Sequence, residues 1–300
     1  MLKIAYHPIY KYQLPAGHRF PMEKYELLPE QLLYEGTAKA DNFFEPIRVD
    51  ESILQLTHSA AYWKKLRDQE LDAKEIRAIG FPMSPRLIER SHTIASGTIQ
   101  GAFFAKQFGI AMNIAGGTHH AYAHRGEGFC MLNDIAVASN YLLQQGAAQK
   151  ILIIDLDVHQ GNGSAHIFRH EPRVFTFSMH GAKNFPTRKE VSDLDIGLPD
   201  GVNDETYLRI LKQTLPRLID QVQPDFVFYL SGVDVLESDK LGRLSMTIPG
   251  CRERDRLVLE ICKREHLPIM ISMGGGYSER LAHIIEAHAN TYRLAQELFF

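Results

Sequence analysis

Asp155, Asp157 and His159 occupy alternate positions of the string Asp155-Leu156-Asp157-Val158-His159. Alternate residues of an extended strand share a face, so Asp157 and His159 point the same way and Asp155 can join them. Two oxygen donors and an imidazole suit a divalent cation such as Zn²⁺. The same acids could instead cap a helix or stabilise a turn. Asp234, just after Ser231-Gly232, would add a second carboxylate ligand, or serve as a helix N-cap. His119-His120 follows Gly116-Gly117. In a loop both rings can face one cavity, and imidazole is the side chain best suited to proton transfer near neutral pH. An ordinary pair of surface or core histidines is the competing reading. Gly274-Gly275-Gly276 lets the backbone turn sharply and approach a ligand. Tyr277 behind it could donate its hydroxyl to a developing oxyanion, or be a packed aromatic.

Two further strings resemble these without the same promise. Asp193-Leu194-Asp195 repeats the Asp-Leu-Asp pattern, but Gly197 stands where a histidine would be. It follows no apolar run, which places it in a solvated turn. His283 and His288 are five apart, a spacing that does not share a helix face. Cys130, Cys251 and Cys262 include no Cys-x-x-Cys pair, so a thiolate zinc site is not expected.

The chemistry-bearing strings all follow predicted strands. Four short apolar runs, 110–115, 151–156, 226–230 and 268–273, read as strands covered on both faces. Segments 1–6 and 174–178 add two more. Helical periodicity fills 91–108, 134–145, 204–222, 252–265 and 278–299, with Gly146 a C-cap and Pro216 expected to kink or break its helix. Alternating strands and helices predict a doubly wound α/β sheet in one domain over residues 1–300. Sites in such sheets lie beyond the carboxyl ends of the strands, where these strings stand.

The chain has 300 residues, 45% hydrophobic and 23% charged, enough for one large core without a disulfide or structural metal. A formal net charge of −3 with no basic block does not support direct nucleic-acid binding. No segment reads as a signal peptide or a membrane span, so a cytoplasmic location and no membrane partner are expected. The three cysteines suit a reducing compartment.

Taken together, GGTHHA at 116–121, GEGFCMLNDIA at 126–136, DLDVHQGNG at 155–163, SGVDVLESD at 231–239 and GGGY at 274–277 closely resemble the zinc-dependent histone deacetylase superfamily. DLDVHQGNG, SMHG and GHRFPMEKY look most like its class IV and related bacterial members. The resemblance implies the arginase/deacetylase fold, three αβα layers around a mostly parallel sheet of about eight strands. It assigns Asp157, His159 and Asp234 to zinc, with Fe²⁺ an alternative occupant. It assigns His119 and His120 to proton handling, with His120 our choice of general base, and Tyr277 to the scissile carbonyl. Asp155 and Asn162 complete the catalytic set. Phe129 and Phe185 match the walls of a narrow acyl-lysine tunnel and Gly128 its floor. A structural potassium ion would take ligands from Asp155, Asp157, His159, Ser178 and Met179.

The sequence also departs from the pattern. The partner of the second histidine is often Asp; here it is Asn162. Class I and II relatives often carry an acid before the Gly-Gly-x-His-His segment; residues 79–92 hold no matching Asp. Leu241 stands where polyamine-specialised relatives carry an acidic gatekeeper, although Glu237 and Asp239 are near. The resemblance therefore implies removal of acyl groups, acetyl above all, from lysine side chains of a protein or peptide. The alternatives are a small-molecule amidohydrolase acting on acetylpolyamines and a silent acyl-lysine binding module.

Overall fold

The computed structural model describes residues 1–300. Eight strands form one sheet: β1 (Lys3–Ala5), β2 (Phe43–Phe44), β3 (Ile110–Asn113), β4 (Ile151–Asp155), β5 (Val174–Gly181), β6 (Leu194–Leu198), β7 (Phe226–Leu230) and β8 (Ile269–Ser272). Their order is β2-β1-β3-β8-β7-β4-β5-β6, and every neighbouring pair is parallel. Every residue of β3, β4, β7 and β8 is buried. Continuous apolar runs are what a strand covered on both faces requires.

The helices are α1 (Lys24–Tyr34), α2 (Glu51–Leu54), α3 (Ala60–Arg67), α4 (Ala73–Ile79), α5 (Pro85–Phe108), α6 (Asp134–Gln144), α7 (Asn162–Phe168), α8 (Asp204–Val222), α9 (Ile248–Arg264) and α10 (Leu281–Phe299). One layer is built by α1, α8, α9 and α10 packing on one another; α3, α5, α6 and α7 build the other. The chain thus has the three-layer arginase/deacetylase architecture, and the sheet is wholly rather than mostly parallel.

Local chemistry explains the element ends. Gly146 has φ 63°, and the N–H groups of Gly146 and Ala147 reach back to the carbonyls of Leu143 and Leu142, closing α6. Pro216 does not break its helix, for α8 runs from Asp204 to Val222. Pro216 and Lys212 are both exposed, so water can take the carbonyl freed by the missing N–H. The buried stripe of Tyr207, Leu211, Leu215, Leu218, Ile219 and Val222 holds the helix against α9. Asp193-Leu194-Asp195 is a second correction. It is no solvated turn, because Leu194 opens the edge strand β6. Asp193 accepts from the Thr176 amide and hydroxyl at 2.8 and 2.9 Å, and Asp195 from Gln160 Nε2 at 2.9 Å. A half-exposed edge strand carries no apolar run, which hid it in the sequence.

Candidate active site

The four motif-bearing strands β3, β8, β7 and β4 are the four adjacent central strands. Asn113 and Leu230 both pair with Ser272, and Leu230 pairs with Asp155, so their carboxyl ends lie level. Parallel register therefore brings Gly116–His120, Asp157–His159, Asp234 and Gly274–Tyr277 to one place.

There, ligand atoms of Asp157, His159 and Asp234 all lie within 4.8 Å of one another, and all three residues are buried. His159 Nδ1 is 3.0 Å from Asp157 Oδ1 and 3.1 Å from Asp234 Oδ2. Tetrahedral bonds of about 2.0–2.1 Å span edges of about 3.3 Å, so the donor set fits one Zn²⁺. The electrostatics agree. Burial disfavours the His159 cation, but hydrogen bonds and charge from Asp157 and Asp234 raise its pKa to about 10. Burial and the neighbouring Asp157 charge push Asp234 up to about 7. Two carboxylates thus compete for one imidazolium, and a dication with neutral His159 would satisfy both. The remaining carboxylate oxygens are held by backbone N–H groups: Gly275 N–H donates to Asp157 Oδ2 and Val158 N–H to Asp234 Oδ1, both at 2.9 Å. A side chain on Gly275 would start 2.0 Å from Asp234 Oδ2, so only glycine fits there.

The tandem histidines stand beside this cluster, ring centroids 4.1 Å apart. His119 Nδ1 lies 2.6 Å from Asp155 Oδ2. Burial disfavours its cation, yet the Asp155 charge and hydrogen bond leave its pKa above the ordinary value. His120 goes the other way. Burial, then the charges of His119 and His159, drive it well below the ordinary value. Its Nδ1 lies 2.6 Å from Asn162 Oδ1. The Asn162 amide nitrogen donates to Glu127 Oε1 at 2.7 Å and to the Tyr122 hydroxyl at 3.0 Å. That fixes Oδ1 toward the ring, so neutral His120 carries its proton on Nδ1 and leaves Nε2 a bare acceptor. Glu127 was not singled out from sequence. It returns, one residue further back, the negative charge that Asn162 lacks.

Tyr277 is half-buried, its ring 6.4 Å from that of His159, and its hydroxyl makes no hydrogen bond within the protein. Burial and the charges of Asp234 and Asp157 hold its pKa well above ordinary, so it remains a donor. Asp239 fixes the loop by accepting from the Tyr277 N–H at 2.6 Å. A cavity of about 510 Å³ lined by His120, His159, Gly128, Phe129, Phe185, Leu241 and Tyr277 opens from these groups to the surface. Gly128, at φ 57°, has no room for a side chain, since a Cβ would lie 2.6 Å from His120 Cδ2.

The chain matches the histone deacetylase domain over residues 18–292. It belongs to the histone deacetylase family. It is 44% identical over 99% of its length to an uncharacterized protein of Picosynechococcus sp., covering 99% of that chain. It is 28% identical to histone deacetylase 2 of Arabidopsis thaliana, over 89% of this chain and 72% of the relative. A solved histone deacetylase homologue complexed with SAHA superposes with TM-score 0.84 at 25% identity, over 99% of this chain and 83% of that one.

In this family member the remaining predicted residues fall as follows. Ser178 pairs with Asp155 on the neighbouring strand, and Ser178 and Met179 are buried. His283 and His288 part company: His283 Nδ1 is 3.1 Å from Ser238 Oγ, whereas His288 is buried. Sequence reasoning missed two fully buried cations. Lys24 Nζ reaches the Gly274 carbonyl at 3.4 Å and sits 5.4 Å from the Tyr277 ring centre. Arg254, on α9, donates to the carbonyls of Leu156 and Gly232 at 3.2 and 2.6 Å. Neither lies in a strand-end string, so only their places in otherwise amphipathic helices could have marked them.

Proposed function

We propose that this chain hydrolyses the amide of an acyl-lysine, most directly acetyl-lysine in a protein or peptide, with one Zn²⁺ held by Asp157, His159 and Asp234. Fe²⁺ suits the same donors. The observation that carries the reading is the junction of three elements: a buried Asp-His-Asp cluster, a neutral His120 with a free Nε2, and an unpartnered Tyr277 hydroxyl on one channel. When bound, the cation supplies Lewis acidity that polarises the amide carbonyl and acidifies water.

The protein's own groups do the rest. His120 Nε2 takes a proton from the attacking water, and Asn162 keeps that nitrogen free. The Tyr277 hydroxyl donates to the oxygen on which negative charge develops. An imidazolium then gives its proton to the leaving lysine nitrogen, because an amide anion cannot leave near neutral pH. His119, held by Asp155, is the more readily protonated ring and shares this task. Phe129 and Phe185 flank the aliphatic lysine stem, with Gly128 between them and Leu241 at the rim. A potassium ion at the ends of β4 and β5, among Asp155, Asp157, His159, Ser178 and Met179, would brace the cluster from behind. We take residues 1–300 as one catalytic unit acting in the cytoplasm.

The test is a screen of purified protein against lysine peptides bearing acetyl to myristoyl groups, alongside acetylspermidine, with and without chelator. Chelator-sensitive release from a lysine peptide is expected. Turnover of acetylspermidine alone would overturn the substrate assignment. Tight binding of every acyl peptide without turnover would favour the silent module.

A further inference from the structure

The wall of the channel mouth carries a charge opposite to that of the whole chain. Four of the thirteen residues lining the 510 Å³ cavity are Arg19, Arg77, Lys183 and Arg243, all exposed, and none is Asp or Glu. The chain as a whole has a formal net charge of −3, so this is a local concentration of cations. Arg19 lies directly over the channel, its guanidinium carbon 5.0 Å from the Phe129 ring centre. Arg19 and Arg77 form no ion pair. Lys183 and Arg243 share a single acid, Asp200, at 3.6 and 3.4 Å. Such exposed pairs are weak and leave the field of the mouth positive. Beyond Tyr277 the wider groove adds Arg86, which forms no ion pair, while its Lys11 and Lys240 are paired with Glu26 and Glu279.

Resting on the acyl-lysine reading above, we propose that the mouth selects acyl-lysines embedded in acidic sequence and rejects cationic substrates. The four exposed cations stand at the entrance, so they act on the part of the substrate left outside the channel. The acyl group itself need carry no charge. A low-dielectric cleft lined by one sign of charge concentrates the opposite sign and repels its own. Acetylpolyamines and lysine- or arginine-rich tails bring cations to this rim; a segment with Asp or Glu on both sides of the lysine complements it.

The experiment uses the zinc-loaded full chain and three labelled acetyl-lysine peptides differing only in acidic, uncharged or basic flanks. Affinity by fluorescence anisotropy and kcat/KM are measured at low salt and at about 0.5 M salt, where screening is nearly complete over a few ångström. The acidic peptide is expected to bind at least about tenfold more tightly than the basic one at low salt, the gap closing at high salt. Arg77→Glu/Lys183→Glu, both exposed, should shrink or invert the ratio. Equal affinities, or a preference for basic flanks, overturn the inference even if every peptide is cleaved, and then the deacylase reading stands alone. Preferential binding of the acidic peptide with no cleavage leaves the charge selection standing and removes the deacylase reading. Neither binding nor cleavage overturns both.

Discussion

At the scale of single residues, proton traffic depends on what stands behind each histidine. Asp155 faces His119 with a full charge, whereas Asn162 faces His120 with a dipole and passes Glu127 on at one remove. The two adjacent rings are therefore driven apart in acidity, as the proposed division into base and acid requires. Asn162→Asp would set a carboxylate against His120 Nδ1 and favour its imidazolium. The base must be neutral to act, so the acidic limb of the kcat/KM–pH profile is expected to move to higher pH, by about one unit or more. An unmoved limb would show that His120 is not the group titrating there. The types of these residues were legible in the sequence because tandem histidines and alternating acids are rare beside glycine turns. Glu127 was not, because a glutamate that acts through a second side chain leaves no local pattern.

At the scale of elements, the site exists because four parallel strands end level. Their apolar runs were plain in the sequence, and so were the polar strings after them. What the sequence did not show is that β3, β8, β7 and β4 would be neighbours, since strand order depends on long-range pairing. The edge strand β6 and the continuity of α8 through Pro216 were misread for a related reason: half-exposed elements are shaped by what they pack on. Helix α9 contributes in the same hidden way. Arg254 is buried beside Asp255 and ties the carbonyls of Leu156 and Gly232, the residues leading into the two loops that carry Asp157, His159 and Asp234. Tyr229 and Thr291 hydroxyls satisfy Asp255 at 2.5 and 2.7 Å. Arg254→Leu would strand the Asp255 charge and free both carbonyls. A loss of about 3–5 kcal/mol in urea unfolding is expected, and a loss below about 1 kcal/mol would mean that the pair is not a structural tie.

At the scale of the whole molecule, buried neutral histidines are expected to cost stability in acid. His58 donates from Nδ1 to the Tyr122 carbonyl and accepts the Asn133 N–H at Nε2, both at 3.0 Å, which only the neutral ring can do. Burial lowers its pKa to about 4, and burial lowers His180 likewise to about 4. Unfolded, these rings take up protons near pH 6.5; folded, they resist until about pH 4. Their contribution is therefore intact above about pH 6.5 and is lost as the pH falls toward 4, by roughly 3 kcal/mol per ring. His58→Gln should flatten the fall of the urea midpoint over this range relative to the parent. An identical slope would place the acid sensitivity elsewhere. The most direct measurement of the whole account is metal content taken together with turnover of an acetyl-lysine peptide, for chain stripped by chelator and titrated with Zn²⁺. Activity is predicted to rise from near zero and level off at one ion per chain, with Asp234→Ala failing on both counts. Full activity in the stripped chain, or a bound stoichiometric ion with Asp234 removed, would contradict it.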